Sequence, residues 1–151
     1  LMKIKLLREI IQMILTSTNN KIPPGAGIII VRKFNNRWKV LGLKKGEIYD
    51  IPKGGIDHGE SALHSALRET REEAGIQNPK FTWGLKTNVN SELTTFLAET
   101  DEDPFISPNP ETGILEHESA HWLEWNELYN NTLDFIQPAV SWAKGIVERT
   151  K

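Results

Sequence analysis

Between Gly54 and Ile76 the chain reads GGIDHGESALHSALRETREEAGI, a stretch dense in groups able to do chemistry. Glu69, Glu72 and Glu73 crowd together there, with Arg68 beside them and Gly75 closing the run. On a helix, positions i, i+3 and i+4 share a face, so three carboxylates project together. Like charges at that spacing oppose helix formation unless positive charge sits among them. The glutamates are then either a solvated face paired with arginine or the ligands of a hard divalent cation. Mg²⁺ and Mn²⁺ take carboxylate oxygens and often retain waters. Such an ion would neutralise a phosphate, orient it and acidify a bound water for in-line attack on phosphorus. The preceding residues suit that chemistry, because Gly54 and Gly55 let backbone approach closely and Lys53 is a natural phosphate partner.

To present those acids the segment must be a helix with one buried face. Ser61 stands where an N-cap is wanted, and Gly75 is placed for a left-handed C-cap. Ala62, Leu63, Ala66, Leu67, Thr70 and Ala74 form a small, apolar stripe, which leaves the glutamates along its rim.

Strands are expected on both sides of this helix. Ala26–Arg32 is a continuous β-branched run suited to a buried strand. Asn35-Asn36 signals a turn, and Trp38–Lys44 returns as the second strand. Tyr49–Pro52 is a short extended piece. Phe81–Lys86 and Glu92–Ala98 read as two further strands about a turn at Asn88–Ser91. Asp101–Gly113, with three prolines, is loop. Ala120–Trp125 reads as strand, Asn126–Asn131 fits neither pattern, and Pro138–Arg149 has helical spacing. At the start, Lys3–Thr16 has an apolar stripe of Ile4, Leu7, Ile10, Ile11 and Ile14, the pattern of an amphipathic helix docked on the domain. A dimer or partner contact is the alternative. Thr16–Pro24 reads as a linker, so residues 1–24 are a helix and linker, and 25–151 the domain proper. The whole is an α/β protein, a mixed sheet covered by helices on both sides.

The 151 residues suffice for one domain with a sizeable core. A net charge of −2 gives no broad affinity for nucleic acid or membrane. The absence of cysteine excludes disulfides, thiolate metal sites and cysteine nucleophiles. No apolar run reaches membrane-spanning length. IIQMIL is short, broken by Gln12 and followed by no small-residue cleavage site, so no signal peptide is expected. Leu1 before Met2 reads as a remnant of processing, and a cytoplasmic setting is the default.

The segment also resembles a family signature, the Nudix box: glycine, five residues, Glu, seven residues, Arg-Glu, two residues, Glu-Glu-x-Gly and an aliphatic residue. Gly54, Glu60, Arg68, Glu69, Glu72, Glu73, Gly75 and Ile76 fill it in register, with Thr70 where an aliphatic residue is usual. The resemblance implies a Nudix-type α/β/α sandwich with an added N-terminal helix. It also implies hydrolysis of a nucleoside diphosphate linked to another moiety, with Mg²⁺ or Mn²⁺. It makes Glu69, Glu72 and Glu73 metal ligands, and Glu69 a candidate to activate water. Arg68 would orient the glutamates, Glu60 would support the loop–helix junction or reach a further metal, and Gly54 would offer its carbonyl to the ion.

Substrate choice rests on the flanks. The Tyr-x-Ile-Pro-Lys-Gly-Gly run from Tyr49 to Gly55, with Leu115-Glu116-His117 and His121-Trp122-Leu123, resembles asymmetric dinucleoside tetraphosphate hydrolases. That match makes Glu116 the carboxylate outside the box, as ligand or base, with Glu118 in reserve. A dinucleoside polyphosphate is the first expectation. RNA 5′ ends and diphosphoinositol polyphosphates are alternatives among relatives, and a nucleotide-sensing binding module is the non-enzymatic one. The protein would act as a monomer or homodimer on a small nucleoside polyphosphate.

Smaller signals surround the box. Tyr49, Trp83, Phe96 and Phe105 could stack on a base, although Trp83 and Phe96 fit core packing better. Tyr49 leads into the glycine loop, and Lys44 ends a strand before it, so both are candidate substrate contacts. His58 and His64 read as surface residues. His117 and His121 lie near Glu116.

Overall fold

The structure is a computed structural model describing residues 2–17 and 22–150, with side chains placed for 3–11 and 22–150. Its elements are α1 (Met2–Ser17), β1 (Gly25–Phe34), β2 (Arg37–Lys45), β3 (Ile48–Asp50), β4 (Lys53–Gly55), α2 (Ala62–Ala74), β5 (Thr87–Val89), β6 (Leu93–Glu99), β7 (Ser119–Leu123), α3 (Trp125–Asn131) and α4 (Gln137–Glu148). The sheet runs β3-β2-β1-β6-β5, with β4 added to β1 and β7 to β2. Since β1 and β6 are parallel and the other pairs antiparallel, the sheet is mixed.

The apolar run of β1 is buried because both faces of the sheet are covered. Ile29 and Val31 face one core, closed by α3 and α4 through Leu128, Val140 and Ala143. Ala26, Ile28 and Ile30 face the other, closed by Ala66 and Ala74 of α2. This is the expected α/β/α sandwich.

The sheet splits where the site forms. β1 and β2 pair only from Val31–Phe34 to Arg37–Val40, about a turn in which Asn35 and Asn36 both take positive φ (48° and 65°). Beyond that turn, β3 stays on β2, while β4 lies along Gly25–Gly27 of β1. Gly27 makes this possible, because a Cβ there would stand 2.6 Å from the Pro52 carbonyl oxygen and 2.8 Å from Lys53 Cβ.

Several boundaries differ from the sequence expectations. Phe81–Lys86 is not a strand. Gly84 closes a turn on the Phe81 carbonyl (2.9 Å), so Phe81 packs on Phe96 and Trp83 on Trp38 from a bend. The strand begins at Thr87 and takes in Asn88. The turn shifts to Asn90, whose Oδ1 accepts from the Glu92 and Leu93 N–H groups. Trp125 starts α3 rather than ending β7, and Asn126–Asn131 is helical. Of the N-terminal stripe, Ile4, Leu7, Ile10 and Ile11 are 43–56% exposed, and the side chain of Ile14 lies outside the described residues. Thr16 and Ser17 are helical, and residues 18–21 of the expected linker lie outside the described residues.

Candidate active site

The expected caps fix α2. Ser61 Oγ accepts from the His64 N–H at 3.0 Å, and Gly75 closes the helix at φ 70°. Ser65, Ala66, Thr70 and Ala74 are buried, so Glu69, Glu72 and Glu73 stand at the rim facing β4. Two contacts lock helix to strand. Glu73 Oε1 accepts from the Lys53 N–H at 2.8 Å. The Glu69 carboxyl lies over Gly54, where a Cβ would stand 2.2 Å from Glu69 Cδ.

Arg68 supplies the positive charge that the acidic rim needs. Its Nε and Nη2 donate to the two oxygens of Glu60 at 2.8 and 3.0 Å. Nη1 donates to Glu69 Oε1 at 2.8 Å and to Glu72 Oε2 at 3.2 Å, while Nη2 also reaches the Gly55 carbonyl at 3.0 Å. These bonds raise the Arg68 pKa. Glu60 drops to about 2 because Arg68, and then the Asp57 N–H, hydrogen-bond its charged form. With its oxygens taken up in this way, Glu60 braces the loop–helix junction.

The segment before β7 closes the site from the other side. Asn109 organises it by accepting from the Glu111 N–H at 2.8 Å and donating Nδ2 to Glu116 Oε1 at 2.8 Å. His117 is buried, with Nε2 3.5 Å from Asp50 Oδ2 and Nδ1 4.0 Å from Glu73 Oε2. Candidate ligand atoms of Glu73, Glu116 and His117 all lie within 4.8 Å of one another. Asp50 accepts from the Ile51 N–H at 2.8 Å and pairs with Lys53 Nζ at 3.2 Å.

Proton affinities follow from this crowding. Burial, a hydrogen bond with Glu116, and the charges of Glu69 and Asp50 push Glu73 up to about 9 against the Lys53 N–H. Glu116 is lowered by hydrogen bonds to Glu73 and Asn109, so the two carboxylates titrate as a pair. Burial raises Glu69 despite Arg68. Burial works to raise Asp50 as well, but His117, Lys53 and the Ile51 N–H outweigh it and hold it low. A cluster of hard oxygen donors that retains a proton to relieve its own repulsion fits a divalent cation such as Mg²⁺ or Mn²⁺.

Not every sequence candidate reaches this cluster. Gly55 does, with open space where a Cβ would stand. Lys53 does, through its backbone and through Asp50. Tyr49 and Lys44, cross-strand partners, face away from α2, where Tyr49 packs at the α3–α4 core and meets His121 edge-on. Glu118 Oε1 accepts from the Gly46 N–H at 3.1 Å, which ties the reserve carboxylate to the β2–β3 turn. His121 bonds Ser119 at 2.6 Å. Trp83 bonds Thr150 at 2.6 Å, and the Phe105 ring packs on Gly75. Asp50 and Asn109 were not foreseen. Only the alternation of β3, which turns Asp50 away from the Tyr49 face, hinted at the first.

Comparison with known proteins shows the family and the fold. The NUDIX domain profile matches residues 21–146. The asymmetrical bis(5′-nucleosyl)-tetraphosphatase of Caenorhabditis elegans is 30% identical over 112 residues, covering 68% of this chain and 78% of that protein. The RNA pyrophosphohydrolase of Rhizobium meliloti is 28% identical over 134 residues, covering 70% and 79%. Among solved structures, a binary complex of C. elegans Ap4A hydrolase superposes with a TM-score of 0.67 at 22% identity, over 82% of this chain and 96% of that one.

Proposed function

The chain belongs to the Nudix family and is a hydrolase of phosphoanhydrides, and we propose that its substrate is a dinucleoside polyphosphate. One observation carries the reading: Glu73 of α2 meets Glu116 from a distant segment, in a cleft that Glu72 also lines, while Glu69 lies over Gly54 and Gly55 beside it faces open space. Glu69, Glu72, Glu73 and Glu116, with the Gly54 carbonyl, would hold Mg²⁺ or Mn²⁺. When bound, the ion neutralises phosphate charge and makes the attacking water more acidic.

The chain's own residues supply the rest. Arg68 holds Glu69 and Glu72 in place, so little reorganisation is needed when the substrate enters. Glu69, with Oε1 on Arg68 and its second oxygen left, is the group to take the water's proton. A cavity of about 260 Å³ lined by Pro24, Gly25, Lys53, Gly54, Gly55, Glu92, Leu93 and Phe135 lies along β4 and is the candidate seat of the polyphosphate. Lys53 and Gly55 are the phosphate contacts, while Tyr49 and Lys44 stand outside that cavity.

The relatives also favour a second reading, because several are RNA pyrophosphohydrolases. The net charge of −2 offers little attraction for a polyanionic chain beyond its terminal phosphates. A binding module without turnover would have no need of the complete set of box acids found here. A panel of dinucleoside polyphosphates, triphosphorylated RNA, nucleotide sugars and inositol pyrophosphates, incubated with Mg²⁺ or Mn²⁺ in ¹⁸O water, separates these readings. The expected result is fastest turnover of a dinucleoside polyphosphate, with one ¹⁸O in a product phosphate. Faster turnover of RNA ends would replace the substrate, and inertness toward the whole panel would remove the reading.

A further inference from the structure

We propose that His117 is itself a metal ligand, its Nδ1 joining Glu73 and Glu116 in a pocket of mixed nitrogen and oxygen donors that favours Mn²⁺ over Mg²⁺. The inference rests on the metal-dependent reading above and adds to it a nitrogen donor outside the box. Glu73 is pinned through Oε1 by the Lys53 N–H at 2.8 Å. Glu116 is pinned through Oε1 by Asn109 Nδ2 at 2.8 Å. His117 turns Nε2 toward Asp50 Oδ2 at 3.5 Å. Glu73 and Glu116 are each fixed by one oxygen, and candidate ligand atoms of all three residues lie within 4.8 Å of one another.

The ring presents Nε2 to Asp50 and Nδ1 to Glu73. The Nδ1 atom is 4.0 Å from Glu73 Oε2, which is too long for a hydrogen bond. Two ligands each about 2.1 Å from one ion stand up to about 4.2 Å apart, so the spacing suits a shared ion. His117 is only 5% exposed and sits in the wall of the cleft that Glu72, Glu73 and Asn109 also line. A carboxylate behind a histidine is the usual means of fixing a metal-bound imidazole's orientation and raising its basicity. Asp50 is so placed, anchored in turn by the Ile51 N–H and Lys53. Mg²⁺ prefers oxygen donors alone, whereas imidazole raises affinity for later divalent metals, so the mixed set discriminates in favour of Mn²⁺.

The test is electron spin-echo envelope modulation on the full chain loaded with Mn²⁺, which reports nitrogen bound directly to the ion. The expected spectrum shows ¹⁴N modulation from one imidazole, and His117→Ala abolishes it. Absence of ¹⁴N modulation in the unaltered protein, or its survival in His117→Ala, overturns the proposal. Should His117→Ala fail to fold, Asp50→Asn retains the ring and loses its anchor. Titration calorimetry should then show Mn²⁺ affinity falling about 10- to 100-fold and Mg²⁺ affinity falling much less. Equal losses for the two metals overturn the proposal. Phosphoanhydride turnover without the nitrogen signal refutes this inference alone, and the signal without turnover refutes only the hydrolytic reading.

Discussion

Gly54→Ala tests how the site is built. A Cβ at position 54 would stand 2.2 Å from Glu69 Cδ and 2.3 and 2.5 Å from its two oxygens. To restore an ordinary contact of 3.4 Å, the carboxyl group must retreat by about 1.2 Å. These three nearest atoms form the far end of a flexible side chain, so the backbone of β4 and α2 has no need to move. The fold should survive with a melting temperature within a few degrees of the parent. Catalysis should not, because Glu69 leaves the position in which Arg68 Nη1 holds it at 2.8 Å. A misplacement of about 1 Å costs on the order of 100-fold in rate, or about 2.7 kcal/mol of transition-state stabilisation. The assay is kcat for phosphoanhydride hydrolysis at saturating Mg²⁺, measured beside a thermal melt. A kcat within about threefold of the parent would show that the placement of Glu69 over Gly54 is immaterial. A melting temperature lower by ten degrees or more would make Gly54 a residue of the fold instead.

Glu73→Gln should abolish turnover and leave the fold intact. In the metal-free protein it should also flatten the pH dependence of stability. Folded Glu73 keeps its proton to about 9, against an ordinary 4.5, so the native state holds the extra proton in that window. Stability is therefore full below 4.5 and declines as pH rises toward 9, by at most about 1.4 kcal/mol per unit. Melts in chelator at several pH values check this, and parallel curves for parent and variant would refute it. Glu116, lowered instead of raised, acts oppositely and only below its ordinary range. Glu116→Gln should lose most activity and Glu118→Gln very little, because Glu118 is tied to the Gly46 N–H; the reverse order in a rate assay would exchange their roles. Arg68→Lys, which cannot bridge Glu60, Glu69 and Glu72 at once, should lower kcat about 10- to 100-fold with little change in substrate KM. An unchanged kcat would reduce Arg68 to a surface ion pair. Chelation should remove binding of a non-hydrolysable dinucleoside polyphosphate as well as turnover, and calorimetric binding in chelator would contradict this.

The sequence disclosed those parts of the molecule that depend on local chemistry. The α2 caps, its small apolar stripe and the Asn35-Asn36 turn are each set by residues a few positions apart. Phe81–Lys86 misled because its aromatics satisfy a strand's composition while packing from a bend. The α1 stripe has helical periodicity, which does not specify a surface to cover it. Asp50 and Asn109 act through contacts with segments far away or through a loop's own turn, and no spacing rule announces them. Glu116 was found by resemblance, since nothing local distinguishes it from Glu118. What separates them is which oxygen already has a partner.

The ion pairs of the site explain why a hydrolase of polyphosphates should need metal. A phosphate chain carries several negative charges, and the residues near β4 present Asp50, Glu60, Glu69, Glu72, Glu73 and Glu116. Two cations stand among them. Arg68 is divided between Glu60, Glu69 and Glu72, and Lys53 is paired with Asp50. Arg68 cannot turn to phosphate without uncovering partly buried carboxylates, at a cost of several kcal/mol, and Lys53 reaches phosphate only by leaving Asp50. The electrostatic work of Arg68 is internal: it allows acids to stand close enough to share an ion. Most of the attraction for phosphate must therefore enter with divalent cations. Glu73, holding a proton until about 9, marks the place where the added positive charge gains most.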